Sequence, residues 1–164
     1  MEENFLTDDE YDKRALDLAQ EYADTHSTCV KVKVGSIIDT PDSVIFFYGC
    51  NHGVCNCKEN GCRRINLYGE ASKLHRLPSD CDSIHSEIDA ICEAARSGFS
   101  VRGATIYVTR YPCENCARAI VAAGIKRVVY GREETISPYT ATILASGHVE
   151  VVHRLDWERE DNNA

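Results

Sequence analysis

Two short motifs, each at the start of a predicted helix, constrain this chain more than anything else in it. One is His85-Ser86-Glu87 and the other is Pro112-Cys113-Glu114-Asn115-Cys116. Ile84, Ile88, Ile91, Cys92 and Ala95 recur at helical spacing and stop at Ser97-Gly98, which predicts a helix from about Ile84 to Arg96 with His85 and Glu87 in its first turn. Thr105 to Thr109 reads as a strand of β-branched and aromatic residues, and Pro112 suits the first position of the next helix. Ala117, Ile120 and Val121 give that helix a buried face before Gly124 ends it. A helix, a strand and a second helix in this order need a sheet, and a sheet brings helix starts together at the carboxyl ends of its strands.

The flanking sequence extends the same pattern. Ala15, Leu18, Ala19 and Tyr22 form a helical stripe from about Asp9 to His26, with Asp8, Asp9 and Glu10 placed well for its N-terminus. Val32, Val34 and Ile37-Ile38 predict a strand, and Val44 to Tyr48 a second strand returning as a hairpin across Pro41-Asp42. Arg127 to Tyr130 and Val149 to Val152 predict two more strands, with a helix over Tyr139 to Ser146 between them. Trp157 is expected to anchor a terminal helical segment. The order α β β α β α β α β implies an α/β protein, a three-layer α/β/α fold around a five-stranded mixed sheet. Residues 1–164 read as a single domain carrying a Cys-rich insertion at about 49–83. That insertion has little periodicity, and a structureless segment of such length in a small domain needs something to tie it down.

Charge limits the choice of partner. A formal net charge of −8 and a pI near 5.2 argue against a polynucleotide, whose binding normally requires a basic face. A mononucleotide remains compatible, because one phosphate needs only one or two well-placed cations. No apolar run approaches the roughly 18 residues of a membrane span, and the acidic N-terminus lacks a secretory pattern, so a cytoplasmic protein with no membrane partner is expected. The nine cysteines are an odd number, and with histidines nearby they favour metal ligation over disulfides.

A lone His-x-Glu is usually a surface pair. A lone Cys-x-x-Cys is half of a structural zinc site, a redox dithiol or two core cysteines. Together they amount to one imidazole, two thiols on one side of a helix and an adjacent carboxyl. Zinc in a catalytic site takes three such protein ligands and keeps its fourth position for water, whereas a purely structural zinc would close all four.

These motifs carry a resemblance to the cytidine and deoxycytidylate deaminase family, over about Ala15 to Val152. The residues concerned are His85-Ser86-Glu87-Ile88-Asp89-Ala90-Ile91, Gly103 to Thr109 and Pro112 to Ile120, and Lys33-Val34-Gly35 and Gly124-Ile125-Lys126 favour its deoxycytidylate (dCMP) branch. Asp89 stands where that branch usually has Asn, and Gly49-Cys50-Asn51-His52-Gly53 replaces its Asn-Gly-rich segment.

The resemblance implies a cytidine-deaminase-like fold and Zn2+ held by His85, Cys113 and Cys116. It also implies hydrolytic deamination of dCMP to dUMP and ammonia by a zinc-bound hydroxide, with Glu87 as the catalytic proton carrier. Asn51 and Tyr111 become candidate substrate contacts. Lys31, Lys33, Arg63, Arg64 and Arg110 are candidate phosphate partners among which the sequence does not choose. By the same resemblance Cys29, Cys57, His75 and Cys81 form a candidate second, structural zinc site, with Cys55 as an alternative to Cys57. A homo-oligomer, a hexamer by resemblance, and dCTP and dTTP as effectors complete the expectation. Competing readings are a deaminase of another cytosine nucleoside, nucleotide or base, a nucleic-acid-editing deaminase, and a zinc-stabilised interaction module.

Overall fold

A computed structural model of the chain describes residues 6–42, 45–54, 56–69, 81–133 and 137–157. Helix α1 (Asp8–His26) opens on a capping box, in which the Thr7 side chain accepts from the Glu10 amide while Glu10 reaches back to the Thr7 amide. Strands β1 (Gly35–Asp39) and β2 (Phe46–Cys50) pair antiparallel with Ile37 opposite Tyr48, forming the expected hairpin. Val32 and Val34 lie ahead of β1 instead of inside it. Their backbone groups are taken by the Asn51 side chain, whose amide nitrogen donates to the Val32 carbonyl and whose oxygen accepts from the Val34 N–H.

The insertion is short pieces: β3 (His52–Gly53), α2 (Cys57–Asn60), α3 (Arg63–Tyr68) and β4 (Ser83–Ile84). Strand β3 pairs with β4, so the far end of the insertion is fixed immediately ahead of His85. Helix α4 (Ser86–Arg96), β5 (Thr105–Arg110), α5 (Glu114–Ala123), β6 (Arg127–Arg132), α6 (Pro138–Ser146) and β7 (Glu150–His153) follow.

The five long strands form one mixed sheet in the order β2-β1-β5-β6-β7. Strand β1 is antiparallel to both neighbours, whereas β5, β6 and β7 run parallel. Alternation along β5 and β6 divides the interior. Ile106, Val108, Val128 and Tyr130 face Ala90 and Ala94 of α4, Ala117 and Ile120 of α5, and Leu144 of α6. Tyr107 and Val129 face Ala15 and Leu16 of α1, together with Trp157. The result is the expected three-layer arrangement, with α1 on one face and α4, α5 and α6 on the other.

Close backbone contact sets two of these layers. A Cβ on Gly49 would lie 2.2 Å from the Ser86 carbonyl oxygen, so β2 runs directly against the first turn of α4. A Cβ on Gly35 would lie 1.8 Å from the Ala19 oxygen, which presses α1 onto β1 in the same way. Two boundaries differ from the sequence reading. His85 and Cys113 are the N-cap residues of α4 and α5, so His85 lies just outside the first turn and Pro112 precedes the cap instead of opening the helix. Trp157 is buried at 6% exposure and its indole N–H donates to Asp17, while the terminal helical segment expected around it falls outside the described residues.

Candidate active site

His85 and Cys113 reach each other because both are N-caps with extended backbone, at φ −77°, ψ 151° and φ −77°, ψ 170°. Neither side chain caps its own helix, and each is left free to turn toward the other helix start. Cys116 follows on the same side of α5. The Sγ atoms of Cys113 and Cys116 lie 3.5 and 3.4 Å from His85 Nδ1. Among the described residues, these three supply the one set of metal-ligand atoms that all approach within 4.8 Å of one another. A nitrogen at about 2.1 Å and a sulfur at about 2.3 Å from a tetrahedral zinc are separated by about 3.6 Å. The donor set therefore fits zinc in both chemistry and spacing. His85 and Cys113 open to solvent whereas Cys116 is buried, which leaves one side of the centre approachable.

The thiols are electrostatically matched to one another. A hydrogen bond from Cys116, with further help from His85, pulls the Cys113 thiol down to about 3, while the Cys116 thiol is pushed up as the donor to Cys113. The hydrogen bond with Cys113 raises His85. Glu87 lies in the first turn of α4 at 4% exposure. Burial holds its carboxyl above the ordinary range, against the opposing charge of His85 and a hydrogen bond with the Cys116 side chain. Ser86, absent from the sequence-level candidates, supports it. Its hydroxyl donates to Glu87 Oε2 at 3.2 Å and shares a 2.7 Å hydrogen bond with Ser36 of β1.

A cavity of about 690 Å3 opens beside the centre, within the usual range for small-ligand sites. Its wall includes His85, Ser86, Glu87, Cys113, Asn51 and Tyr111, so the structure gathers both candidate substrate contacts here. Asn51 is engaged by the fold as well. Its Oδ1 accepts from Ser27 Oγ at 2.7 Å and from the Val34 amide at 2.8 Å, while its nitrogen donates to Val32 at 2.7 Å. Tyr111 packs edge-on against Tyr130, with ring centroids 4.7 Å apart, and Tyr130 stacks on His153. Lys31, Arg64 and Arg110 also line the cavity. Lys33 instead donates to the Asp24 carbonyl, and Arg63 pairs with Asp82 on the surface.

The Cys-rich insertion converges on one thiol. Burial raises Cys57, and the neighbouring thiols Cys62, Cys29 and Cys81 raise it further. Cys29, Cys57 and Cys81, three of the four candidate second-site ligands, line the same cavity with Cys62, which the sequence did not single out, but no three of these thiols approach one another as closely as His85, Cys113 and Cys116 do. His75 and Cys55 lie outside the described residues. Asp89, the departure from the dCMP branch, accepts from the Cys50 amide at 3.1 Å and lies 3.2 Å from His52 Nε2, which joins β2 and β3 to α4.

Fold and donor set together define a zinc-site protein of the α/β/α type. A family model described as the cytidine and deoxycytidylate deaminase zinc-binding region matches residues 9–132, and the chain belongs to that family. The deoxycytidylate deaminase of Enterobacteria phage T2 is 42% identical over 98 residues, covering 58% of this chain and 52% of the phage protein. ComE operon protein 2 of Bacillus subtilis (strain 168) is 32% identical over 127 residues, covering 76% and 61%. The chain thus spans about half to three-fifths of the length of these curated relatives. Among solved structures, the dCMP deaminase of cyanophage S-TIM5 in complex with dCMP and dUMP superposes with a TM-score of 0.65 at 22% identity, over 91% of this chain and 99% of that one. At such identity the likeness establishes the fold. No helix among the described residues is long and apolar enough to cross a membrane.

Proposed function

We propose that this protein is a zinc-dependent deaminase that hydrolyses dCMP to dUMP and ammonia. The observation that carries the reading is the buried Glu87 carboxyl, set against the Cys116 side chain of the His85, Cys113 and Cys116 group. An interaction module built around a structural zinc has no use for a buried acid beside its ligands. The phage T2 relative and the S-TIM5 enzyme, whose complex contains dCMP and dUMP, support dCMP over a free base.

When bound by His85, Cys113 and Cys116, zinc would supply the Lewis acidity that brings a water towards ionisation near neutral pH. Glu87 accepts the proton of that water and delivers it to the pyrimidine ring nitrogen, then takes the proton of the hydroxyl added to the ring carbon and passes it to the departing amine. A carboxyl raised by burial suits this double role, because it takes up a proton more readily than an exposed carboxyl does. The Ser86 hydroxyl, itself hydrogen-bonded to Ser36, holds the carboxyl in place. Asn51 and Tyr111 bound the substrate on the open side.

The same reading assigns a second, structural zinc to the thiols around Cys57, drawn from Cys29, Cys57, Cys62 and Cys81, with His75 as an alternative ligand. Such an ion would cross-link the insertion and explain why so short a set of helices stays ordered. Assembly as a homo-oligomer and control by dCTP and dTTP belong to the same proposal. Glu87→Gln tests its centre. Metal analysis of the variant should return the wild-type zinc content, two ions per chain, while turnover of dCMP falls by roughly 1,000-fold. A variant that kept most of its activity would remove Glu87 from the reaction, and a single zinc per chain would remove the second site.

A further inference from the structure

Asn51 is held from the side of the loop between α1 and β1. Its backbone N–H donates to the Val34 carbonyl at 3.0 Å and its own carbonyl accepts from Ser27 Oγ at 2.6 Å. Its side chain bonds to Ser27, Val32 and Val34, all of them in that loop. The reacting centre lies elsewhere, at the starts of α4 and α5, yet Asn51, His85, Glu87 and Cys113 line one cavity. A substrate there meets two walls built from different parts of the chain, and its placement depends on the gap between them.

Asp89 of α4 spans that gap. It stands two residues beyond Glu87 on the same helix, and its backbone amide donates to the His85 carbonyl at 3.0 Å. One oxygen of its carboxyl accepts from the Cys50 amide at 3.1 Å, and the other lies 3.2 Å from His52 Nε2. Cys50 is the last residue of β2 and His52 the first of β3, so one side chain of α4 grips the residues on either side of Asn51. Close packing at Gly49 brings β2 against Ser86, and Asp89 carries the attachment past the end of the strand. The Asp89 side chain is 14% exposed and that of His52 33%, so solvent screens their contact less than it would a surface pair.

We propose that Asp89 and His52 are positioning residues for the substrate: by fastening both neighbours of Asn51 to α4 they set the distance from Asn51 to Glu87, and with it the placement of the pyrimidine nucleotide at the reacting centre. The inference rests on the dCMP reading above. Neither residue is among those that line the cavity, so each acts through Asn51. A displacement of about 1 Å in such a wall is enough to disturb a reaction that depends on orientation.

The test measures kcat and KM on dCMP for the zinc-loaded full chain, for Asp89→Ala, Asp89→Asn, His52→Ala and Asn51→Ala, and for Asp89→Ala combined with Asn51→Ala. Asp89→Ala should raise KM by about 10-fold and leave kcat within about threefold of wild type, because Glu87 and the metal ligands keep their places. His52→Ala spares the Cys50 contact and should raise KM by about fivefold. Asp89→Asn keeps an oxygen for the Cys50 amide and offers its nitrogen to the imidazole, so KM should return to within about twofold of wild type. Adding Asp89→Ala to Asn51→Ala should change KM by less than about twofold, since nothing remains for Asp89 to position. Asn51→Asp, which keeps the acceptor for Ser27 and Val34, is the second background should Asn51→Ala not fold, and His52→Ala replaces Asp89→Ala in the same event. Glu93→Ala removes a surface pair with Arg96 from the same helix and should leave both constants at their wild-type values.

Independent effects of Asp89→Ala and Asn51→Ala on KM, multiplying in the double variant, would overturn the inference while leaving the dCMP reading intact. So would a fall confined to kcat, or a rise in KM that Asp89→Asn does not repair or that Glu93→Ala reproduces. A wild-type chain that does not turn over dCMP would overturn the dCMP reading and the inference with it.

Discussion

Asn51 belongs to the fold and to the cavity at once. Three of its hydrogen bonds hold the approach to β1, from Ser27, from Val34 and to Val32, and the same residue lines the cavity. From sequence, an Asn followed two residues later by Gly reads equally well as a turn residue or a ligand contact, because the choice depends on a loop 17 residues away, the separation of Asn51 from Val34. Truncation should therefore affect stability first. Asn51→Ala leaves the Val34 N–H and the Val32 carbonyl without their partner and is expected to lower unfolding free energy by about 1–3 kcal/mol, measured by urea titration. Asn51→Asp keeps the acceptor for Ser27 and Val34 and should recover part of that loss. Equal stability of Asn51→Ala and wild type would show that the side chain serves the substrate alone.

Helices α4 and α5 surrender something at their starts in order to build the site. N-cap positions favour Ser, Thr, Asp or Asn, whose side chains satisfy a free backbone N–H. Here His85 and Cys113 occupy them and neither forms a side-chain cap bond, unlike Thr7 on α1 or Ser137 on α6. The exchange predicts a separation of stability from metal binding. Cys113→Ser should raise the stability of the metal-free protein by about 0.5–1 kcal/mol, within the usual range for gaining a cap, and should weaken zinc binding severely. Urea unfolding with EDTA and with added zinc measures both, and a metal-free variant less stable than wild type would refute the exchange.

The same elements show what a sequence can carry. Helix α4, strands β5 and β6 and the ligand set were legible because each rests on local periodicity or on close spacing, as with Ile88, Ile91 and Ala95 or Cys113 and Cys116. Helices α2 and α3 were not legible, since four and six residues are too few to express a helical period. Cys62 escaped for a related reason, as did the choice of Lys31, Arg64 and Arg110 from the five candidate cations. Their significance lies in what they meet across the fold, and no local signal in the chain records it.

At the scale of the molecule, one buried carboxylate fastens the first helix to the far end of the sheet. Asp12 of α1 is 1% exposed. It accepts two hydrogen bonds from Arg127 of β6, at 2.9 and 2.8 Å, and another from Arg154 Nε just beyond β7, at 2.9 Å. Nothing in the stripe of α1 distinguishes Asp12 from the surface acids beside it, because its partners lie 115 and 142 residues away. Burial alone would raise its carboxyl. The hydrogen bonds from Arg127 and Arg154, with their charges, outweigh burial and hold it below the ordinary value of 3.8. A folded-state value depressed in this way contributes stability that is fully present above the unfolded pKa and is lost as pH falls through the folded one. Asp12→Asn should therefore be less stable than wild type by about 3 kcal/mol at pH 7, since it takes the buried carboxylate from two partly buried guanidinium groups and leaves them only the exposed Glu150 and Asp9. The gap should hold down to about pH 5 and narrow below about pH 4, as the wild-type carboxyl takes up its proton. Urea unfolding of both metal-free proteins across this range measures the gap, and a difference that did not narrow in acid would mean that packing around Asp12, not its charge, fastens α1 to the sheet.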